Sequence, residues 1–572
     1  MLLAFFACWS LQLILGITVR NPLTVVLFVC LLFADNKAKE YRIKKIPGLC
    51  ISVGLSAVIS YLLRAKVTEG FDSLLFKLLS LLILTGGLIC LCYIIYEGLY
   101  AFIKRDKKAD IPAKYQTVTR FLDKYYDLIN TPKKVFVLCF CLCLLCWFPY
   151  FLYEFPGIMT ADSLVQYEQI MGLRPYSNHH PMVHTLLIKL FYNIGFFFTK
   201  DVVRAISFYT VFQMLLFAAA LSRLVMEIRV ISEKRNLLVE LISIAFFALV
   251  PFNAVFAVTI WKDIPFAAIT VLFVCHIIEM KNKRASYPGF IVLGILFSLF
   301  RSNAWYAFIV WSLVFVYSFR KEIKKALPSV IVVLLFVAVI KGPVFDSFGV
   351  EKPDFVESLS VPISQIARVL VNDRELTASE EELINAVIDT TYIHELYAPD
   401  YADNIKELVR AGNVSYLESH KAEYFKLWAG LLPRYFGDYV SAWFDLLGGY
   451  IYPDFAYAVG DIDGIMGNDY GLIWMPKIGG KFVVKTKEIL IKLGGFVPIY
   501  GMLWSIGTYS WLLIAALFIG IKRKVKTPEM WLLFLMLGTL LIAAPNLEFR
   551  YAYSLALVWP LFISRVNSSK QA

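Results

Sequence analysis

Long apolar runs separated by short polar stretches dominate the chain. Many of these runs hold about 15 to 25 residues, and a helix of that length crosses a hydrocarbon layer of roughly 30 Å. A helix satisfies its interior backbone hydrogen bonds within the segment, so the pattern predicts an all-α polytopic membrane protein with about 14 transmembrane helices. The expected spans are residues 2–18, 22–34, 46–63, 73–98, 134–153, 203–226, 237–260, 264–280, 287–300, 304–319, 327–341, 496–521, 529–545 and 551–565.

Basic residues in the loops predict the orientation, because Lys and Arg collect on the cytoplasmic side. Six basic loops, from DNKAKEYRIKK to IKRKVK, all lie inside if residues 182–198 do not cross the membrane. Lys189 near the middle of that run, and Pro181 before it, favour a helix along the outer surface instead. The outer side is then expected to hold the polar segments 157–185, 259–267, 300–305, 342–494 and 545–554.

The same pattern divides the chain into five regions. Within the large outer segment, Ser379 and Glu382 are expected to form a capping box, and helices are expected near 415–430 and 433–447. The regions are 1–100, accessory transmembrane helices; 101–133, a cytoplasmic basic loop; 134–341, a transmembrane core with a first outer loop 154–202; 342–494, a small, mostly helical extracytoplasmic domain; and 495–572, C-terminal transmembrane helices.

Composition supports an integral membrane protein. The chain is 59% hydrophobic and only 17% charged, far from the shares of an average soluble domain. Its net charge of +12 sits mainly in loops, so it suits membrane orientation, and no nucleic-acid signature or nucleic-acid partner is indicated. The ten cysteines fall in apolar segments, where packing is the expected role.

The first outer loop concentrates groups that can do chemistry. It holds three of the chain's six histidines. Thr160 is expected to cap a helix whose first turn contains Asp162, where a carboxylate is favourable even without a function. Glu168, further along, is expected on a solvated face. His180 and His184 would share a face if a helix starts there, which suits a metal pair or an imidazole that binds phosphate.

Three further clusters follow at the outer ends of other spans. Charges near a membrane are costly and tend to mark sites, although a lysine can also extend to the interface. Arginine binds phosphate with two parallel hydrogen bonds, but a Glu–Arg pair can equally close a helix hairpin. The residues concerned are Lys262 and Asp263 in IWKDIP, Arg301 and Asn303 in FRSNAW, and Glu548, Arg550 and Tyr551 in PNLEFRYAYS.

Aromatic residues crowd the end of the outer segment. Aromatic faces stack on sugars, and they also anchor proteins at lipid interfaces, so both roles stay open. These residues are Trp443, Tyr450, Tyr452, Tyr457, Tyr470 and Trp474.

With Asp162 in the first outer loop, HHP closing it, Asp263 at the next outer turn and EFRY near the C-terminus, the chain resembles the GT-C superfamily of membrane glycosyltransferases. The resemblance covers roughly residues 134–565. It implies a GT-C-like helical bundle that takes a sugar from a polyprenyl-phosphate-linked donor. Many relatives carry Asp-Glu where this chain has Asp162-Ser163, and His-Pro-Pro where Met182 follows Pro181.

The resemblance places Asp162, Asp263, His180 with Pro181, and Arg550 with Tyr551 in the expected site, and the chemistry of sugar transfer from a lipid phosphate gives the other residues their expected roles. Asp162 and Asp263 would be catalytic, with Asp162 as base and Asp263 positioning the acceptor. The phosphate would be held by Lys262, Arg301 and Arg550, oriented by His179 or His180, and contacted by Tyr551. Asn303 and Glu548 complete the expected substrate-binding set. No cofactor is certain; if a divalent metal is used, Asp162, His180 and Asp263 are its expected ligands.

The expected partners are therefore a polyprenyl-phosphate-sugar donor, an envelope glycopolymer or other acceptor, and membrane lipid. The expected place is the cell membrane, with the site facing the extracytoplasmic side. The alternatives are a flippase or transporter for lipid-linked sugars, an envelope polymer ligase, and a non-catalytic scaffold. Flippases and transporters usually place charges near mid-membrane on broken helices, often with repeat symmetry, whereas here the polar residues lie at outer ends.

Overall fold

A computed structural model describes residues 1–15, 17, 21–39, 45–104, 116–232, 234, 236–452 and 462–568. The parts of two basic loops at 40–44 and 105–115, and Tyr457 in the aromatic-rich segment, lie outside the described residues. Within the described ranges the regular structure is helical, with only isolated β-bridges between extended segments.

Each of the fourteen expected spans coincides with a helix or a helix pair. Among the described residues, six helices are long and apolar enough to cross a membrane, and the pair Leu237–Leu249 and Pro251–Val258, bent by 52°, would make a seventh. The protein is therefore an α-helical polytopic membrane protein, and the figure of about 14 crossings stays a prediction. Helix Met182–Thr199 is among the six by length and composition, with the lowest mean hydropathy of them, 1.3. Its placement along the membrane surface also stays a prediction.

The chain forms two compact units. The first combines Met1–Pro112 with Val361–Phe455, so the segment 342–494 is divided between the units. The membrane-type helices of this unit are Leu2–Leu15, Leu23–Ala38, Lys45–Leu62 and Leu74–Lys104. Its shorter helices are Arg64–Thr68, Ala378–Asn385, Ile393–Leu396, Asp403–Ala411, Val414–Ser419, Lys421–Arg434 and Phe436–Leu447.

Two features tie the distant parts of the first unit together. The guanidinium of Arg64 donates to the carbonyl of Gly437 at 2.9 Å and to the hydroxyl of Ser441 at 2.7 Å. Phe444 and Tyr452 pack in one buried cluster with side chains of the N-terminal helices. The N-terminal spans of the sequence therefore support residues 436–452 directly.

The capping box of this unit lies two residues before its predicted position. The hydroxyl of Thr377 accepts from the backbone of Glu380, and the Glu380 carboxylate accepts from the backbone of Thr377. The prediction of Ser379 with Glu382 is wrong because the helix Ala378–Asn385 begins two residues earlier than that pairing requires. The two helices expected near 415–430 and 433–447 are confirmed as Lys421–Arg434 and Phe436–Leu447.

The second unit comprises Ala113–Ser360 and Ala456–Ala572. Its long helix Val202–Ser232 packs most extensively against Pro132–Tyr153, Met182–Thr199, Asp263–Lys281 and Tyr553–Ser568, and also contacts Leu237–Leu249 and Pro251–Val258. Arg229 of this long helix forms a buried ion pair with Glu240, which lies in the following helix Leu237–Leu249. The ion pair joins the two helices. The remaining helices of the unit are Gln116–Leu128, Ala161–Met171, Tyr287–Phe300, Ser302–Ser318, Ile323–Val339, Lys481–Phe496, Pro498–Gly501, Ile506–Lys522 and Pro528–Ala543.

Candidate functional site

Short extended segments of the second unit hold the first outer loop against the IWKDIP turn. The backbone of Ile158 donates to Val258 and accepts from Ile260, both at 2.9 Å. Gly157, with φ +142°, makes this approach, and a Cβ there would lie 2.4 Å from the Thr210 hydroxyl. A side chain at residue 157 would therefore clash with helix Val202–Ser232, and its Cβ would also lie 3.1 Å from the carbonyl of Val258.

The acidic residues of these segments stand at helix N-termini. Asp162 is the second residue of Ala161–Met171, and Asp263 is the first residue of Asp263–Lys281. The positive end of each helix dipole favours a carboxylate there. Arg301 immediately precedes Ser302–Ser318, and Arg550 lies in the 3₁₀ turn Phe549–Ala552 before the last helix. The charged side chains thus lie at or just before the N-termini of four helices.

These side chains meet in one place, called here the charge cluster and defined by Asp162, Asp263, Lys262, Arg301 and Arg550. Arg550 Nη1 donates to Asp162 Oδ2 at 3.0 Å and lies 4.0 Å from Asp263 Oδ2. Arg301 pairs with Asp263, and Lys262 Nζ lies 4.0 Å from Asp162 Oδ2. The convergence expected of the outer segments is observed, since Asp162 and Arg550 are 388 residues apart in sequence.

Burial differs within the cluster. The Asp263 side chain is fully buried, whereas that of Asp162 is 32% exposed. Lys262, Arg301 and Arg550 are 12–16% exposed. A ligand can therefore reach the Asp162 carboxylate, while Asp263 is held behind its two arginines.

Burial alone would raise the pKa of Asp162, but the positive charges of Lys262 and Arg550 lower it below the usual carboxylate range. Burial lowers the pKa of Lys262, and the carboxylates of Asp162 and Asp263 oppose that shift. Burial would likewise lower the pKa of Arg550, but Asp263 and the other acidic neighbours raise it. Asp162 and Arg550 are therefore charged at neutral pH.

Trp261 is a member of this site that sequence reasoning did not single out. The Arg550 guanidinium lies 4.4 Å from the centroid of its ring, and the indole donates to the Thr160 hydroxyl at 2.8 Å. Thr160 occupies the N-cap position, but its side chain makes no cap hydrogen bond, so the predicted capping role is wrong. Trp261 directly precedes Lys262 in the IWKDIP motif, and this position next to a candidate residue is the feature of the sequence that could have indicated it.

Tyr551 and Glu548 contact the arginines of the charge cluster. The ring of Tyr551 lies 4.8 Å from the Arg301 guanidinium carbon and 5.3 Å from that of Arg550. Glu548 Oε2 lies 3.7 Å from Arg550 Nε. Aromatic faces and carboxylates thus hold both guanidinium groups in fixed positions.

Two predicted binding residues lie at or beyond the edge of the cluster. Asn303 donates to the Thr539 hydroxyl at 3.3 Å, which directs it toward a neighbouring helix. The ring of His179 packs 4.7 Å from that of His180, measured between centroids. His180 itself contacts the cluster, because its Nδ1 lies 2.9 Å from Lys262 Nζ.

His184 does not share a face with His180, so that prediction is wrong. The helix begins at Met182, which leaves His180 outside it. The fully buried His184 bonds through Nδ1 to Gln166 Oε1 at 2.8 Å and through Nε2 to the Tyr209 hydroxyl at 2.6 Å. It links the Asp162 helix to the core. Glu168, expected on a solvated face, is instead paired with Arg174 and accepts from Tyr470.

The three expected metal ligands do not lie together in a metal-binding arrangement. Among the residues that the structure describes, no group of three or more His, Cys, Asp or Glu side chains could hold a metal ion. Asp162 and Asp263 are joined through Arg550 rather than to each other. The proposed metal ligands Asp162, His180 and Asp263 therefore do not form a ready ligand set in this geometry.

A group of polar contacts next to the first outer loop joins Glu154 to residues 463–464, and the sequence analysis did not identify it. Glu154, 2% exposed, accepts from the backbone of Gly464 at 2.8 Å. Burial, followed by the nearby Asp463 carboxylate, raises the pKa of Glu154 to about 8. Lys487 pairs with Asp463. These contacts hold residues 463–464 against the end of helix Pro132–Tyr153.

We expect His180→Gln to flatten the pH dependence of stability below pH 6.5. Burial, and then the positive Lys262, lower the pKa of His180 to about 2, while in the unfolded chain a histidine has a pKa near 6.5. Between these values only the unfolded state binds the proton, so falling pH destabilises the folded protein by about 1.4 kcal/mol per pH unit. Thermal unfolding of the purified protein between pH 6.5 and 5 measures the difference between variant and parent.

His394→Gln is the matched control, because the His394 ring is 56% exposed and keeps its hydration on folding. That variant should follow the parent curve. Parallel pH curves for the parent and His180→Gln would contradict a buried neutral imidazole at residue 180.

Comparison with protein families gives one match. A profile described as "Family of unknown function (DUF6020)" matches residues 172–572. The match includes Lys262, Asp263, Arg301 and Arg550 and begins ten residues after Asp162. Neither curated proteins nor solved structures give a match.

Proposed function

Because the chain belongs to the DUF6020 family, whose function is unknown, we propose its activity from the charge cluster itself. The proposed activity is a membrane glycosyltransferase of the GT-C type. It moves a sugar from a polyprenyl-phosphate-linked donor to a cell-envelope acceptor on the outer face of the membrane. The observation that carries the proposal is the meeting of an accessible carboxylate, Asp162, with Lys262 and Arg550 at the ends of helices distant in sequence.

The reaction needs one base and stabilisation of one leaving group. The acceptor oxygen forms a bond to the anomeric carbon while the bond from that carbon to the phosphate oxygen breaks. The polyprenyl phosphate leaves with the bonding electron pair, and the hydroxyl proton passes to Asp162. A single displacement of this kind inverts the anomeric centre.

The pairing of Asp162 explains how a carboxylate with a lowered pKa can take that proton. The positive charges of Lys262 and Arg550 stabilise the ionised form of Asp162. A donor phosphate bound to the same two cations takes over their charge, which raises the basicity of Asp162 just where the acceptor hydroxyl arrives. Donor binding thus prepares the base.

The arginines supply the electrostatic part of the mechanism. Among the described residues, Arg550 Nε is buried without a hydrogen-bond acceptor, and Glu548 Oε2 lies 3.7 Å away. In this proposal the phosphate oxygen is therefore bound on the side of the Arg550 guanidinium that faces Asp162. Asp263 is paired with Arg301 and lies 4.0 Å from Arg550, and in this proposal it positions the arginines. Fixed cations of this type stabilise charge that develops on a leaving group.

Mass spectrometry of envelope glycopolymers tests the proposed function. A deletion strain is expected to lack one sugar substituent, and the parent gene is expected to restore it. A deletion strain with an unchanged glycopolymer, lipid and glycoprotein profile would contradict the proposal. Translocation of a lipid-linked sugar by the purified protein in vesicles, with no sugar transferred, would favour the flippase alternative instead.

A further inference from the structure

Helix Lys481–Phe496 of the second unit is buried on one side and exposes large apolar side chains on another. Val483 and Lys487 lie on the buried side. Phe482 and Ile489 are seven residues apart, so they share a face of the helix, and they are 74% and 55% exposed. They define what is called here the apolar stripe. Exposed apolar surface of this kind marks a contact with lipid or with another protein.

Positive charge borders the apolar stripe. Lys485 lies three residues after Phe482 and four residues before Ile489, so it stands beside both on the helix surface. Lys481 and Lys485 are exposed, and among the described residues neither ammonium group forms a hydrogen bond or an ion pair. Both charges can therefore reach a ligand outside the protein.

The acidic residues nearby leave this positive charge in place. The helix carries four lysines and one acidic residue. That residue, Glu488, pairs with Lys492, with 3.9 Å between the charged atoms. In the preceding loop, Asp463 pairs with the buried Lys487, and Asp469 precedes the helix by twelve residues. The exposed side of the helix is thus apolar and basic.

The loop before this helix exposes apolar side chains as well, namely Ile473, Trp474 and Ile478. The Trp474 indole donates to the carbonyl of Tyr153 at 2.9 Å, and the centroids of the two rings are 5.3 Å apart. Tyr153 is the last residue of Pro132–Tyr153, one of the candidate membrane spans. The loop therefore lies at the depth of a span end, where Trp and Tyr are enriched in membrane proteins.

Both ends of helix Lys481–Phe496 are held near this depth. Gly480, directly before the helix, packs so closely on Tyr153 that a Cβ there would lie 2.4 Å from the ring. At the other end the chain enters the predicted span 496–521, observed as helix Ile506–Lys522. A 16-residue helix is about 24 Å long. Because both of its ends lie at membrane level, the helix runs along the membrane surface.

A surface helix with an apolar and a basic side binds the boundary between lipid headgroups and acyl chains. Flexible lysine stems let the ammonium groups remain at the headgroups. We propose that residues 473–493 bind the surface of the lipid bilayer, with Phe482 and Ile489 toward the acyl chains and Lys481 and Lys485 at the headgroup phosphates. The end of the large outer segment is thus a membrane-bound element. This inference does not depend on the proposed sugar transfer.

Electron paramagnetic resonance of the full chain tests this placement in vesicles of phosphatidylethanolamine and phosphatidylglycerol. The residue p-acetylphenylalanine replaces Phe482, Lys485, Ile489 or Tyr392, one at a time, and carries a nitroxide, so the native cysteines stay in place. Tyr392 is the control, because it is exposed and far in sequence from any predicted span. Power saturation with oxygen and with a water-soluble nickel chelate measures the depth of each nitroxide.

We expect the nitroxides at residues 482 and 489 about 5–10 Å into the boundary between headgroups and acyl chains. They should be several-fold more accessible to oxygen, relative to nickel, than the nitroxide at residue 392. The nitroxide at residue 485 should lie closer to the phosphates than the one at residue 489. All four positions are exposed, so the label should not prevent folding, and residues 482 and 489 test the stripe independently.

Two results would overturn the proposal. Nickel accessibility at residues 482 and 489 as high as at residue 392 would place the apolar stripe in water. Low accessibility to both reagents at residues 482 and 489 would show that protein covers the stripe, as in a contact with a second copy of the chain. Equal depths at residues 485 and 489 would overturn the placement of the lysines at the phosphates.

Discussion

Asp162→Asn is expected to reduce sugar transfer by about 10²- to 10⁴-fold, the usual contribution of a general base. An amide cannot take the acceptor proton, although it occupies nearly the same volume. The Asp162 side chain is 32% exposed, so the change should leave protein abundance close to that of the parent. The measurement is the amount of sugar on the envelope product, divided by the amount of protein in the membrane.

The matched control is Asp346→Asn. Asp346 forms an exposed ion pair with Lys352, with 3.2 Å between the charged atoms, and among the described residues no hydrogen bond or ion pair joins it to the charge cluster. This variant should retain parental transfer, because surface ion pairs contribute little. A normal product in the Asp162→Asn strain would exclude Asp162 as the base. Loss of product in both strains would indicate a general effect on the protein.

Asp263→Asn is expected to destabilise the protein by about 3–5 kcal/mol, because it leaves buried cations without their partner. The Asp263 carboxylate is fully buried, pairs with Arg301 and lies 4.0 Å from Arg550. The expected result is a clear fall in the midpoint of thermal unfolding of the purified protein and a lower abundance in membranes. Sugar transfer should fall with abundance, which distinguishes this variant from Asp162→Asn.

A double-mutant cycle measures the interaction free energy between Asp263 and Arg301. Arg301→Gln alone should also destabilise the protein, and the double variant should cost less than the sum of the two single changes. Glu407→Gln is the control, since Glu407 is 69% exposed and pairs with Arg410 on the same short helix. It should change stability by less than about 1 kcal/mol. Additive effects of Asp263→Asn and Arg301→Gln would show that the two side chains do not interact.

Helix positions follow closely from the sequence, whereas details at helix ends do not. The span expected at 134–153 is the helix Pro132–Tyr153, and the span expected at 287–300 is the helix Tyr287–Phe300. Apolar length determines these helices because a segment in hydrocarbon must satisfy its own backbone. The capping box at Thr377 and Glu380 lies two residues before its predicted position, since Thr377 with Glu380 and Ser379 with Glu382 both satisfy the sequence rule.

For the site as well, features of a single segment could be predicted from the sequence, whereas contacts between distant segments could not. Asp162, Lys262, Asp263 and Arg550 were identified from the sequence as charges at the ends of apolar segments. Trp261 was missed because a tryptophan at a span end is ordinary, and only its position under the Arg550 guanidinium gives it a role. His184 was misassigned because spacing along a helix says nothing about where the first helical residue lies.

The amino-acid pattern was sufficient to identify an α-helical membrane protein and to show which polar residues stand at the ends of its helices. Both follow from local properties, namely apolar length and the cost of charge in hydrocarbon. Three contacts became known from the folded chain: Asp162 meets Arg550, Asp263 is buried behind arginines, and residues 436–452 pack with the N-terminal helices. These are contacts between distant segments, and they depend on how whole helices pack, which no single stretch of sequence specifies.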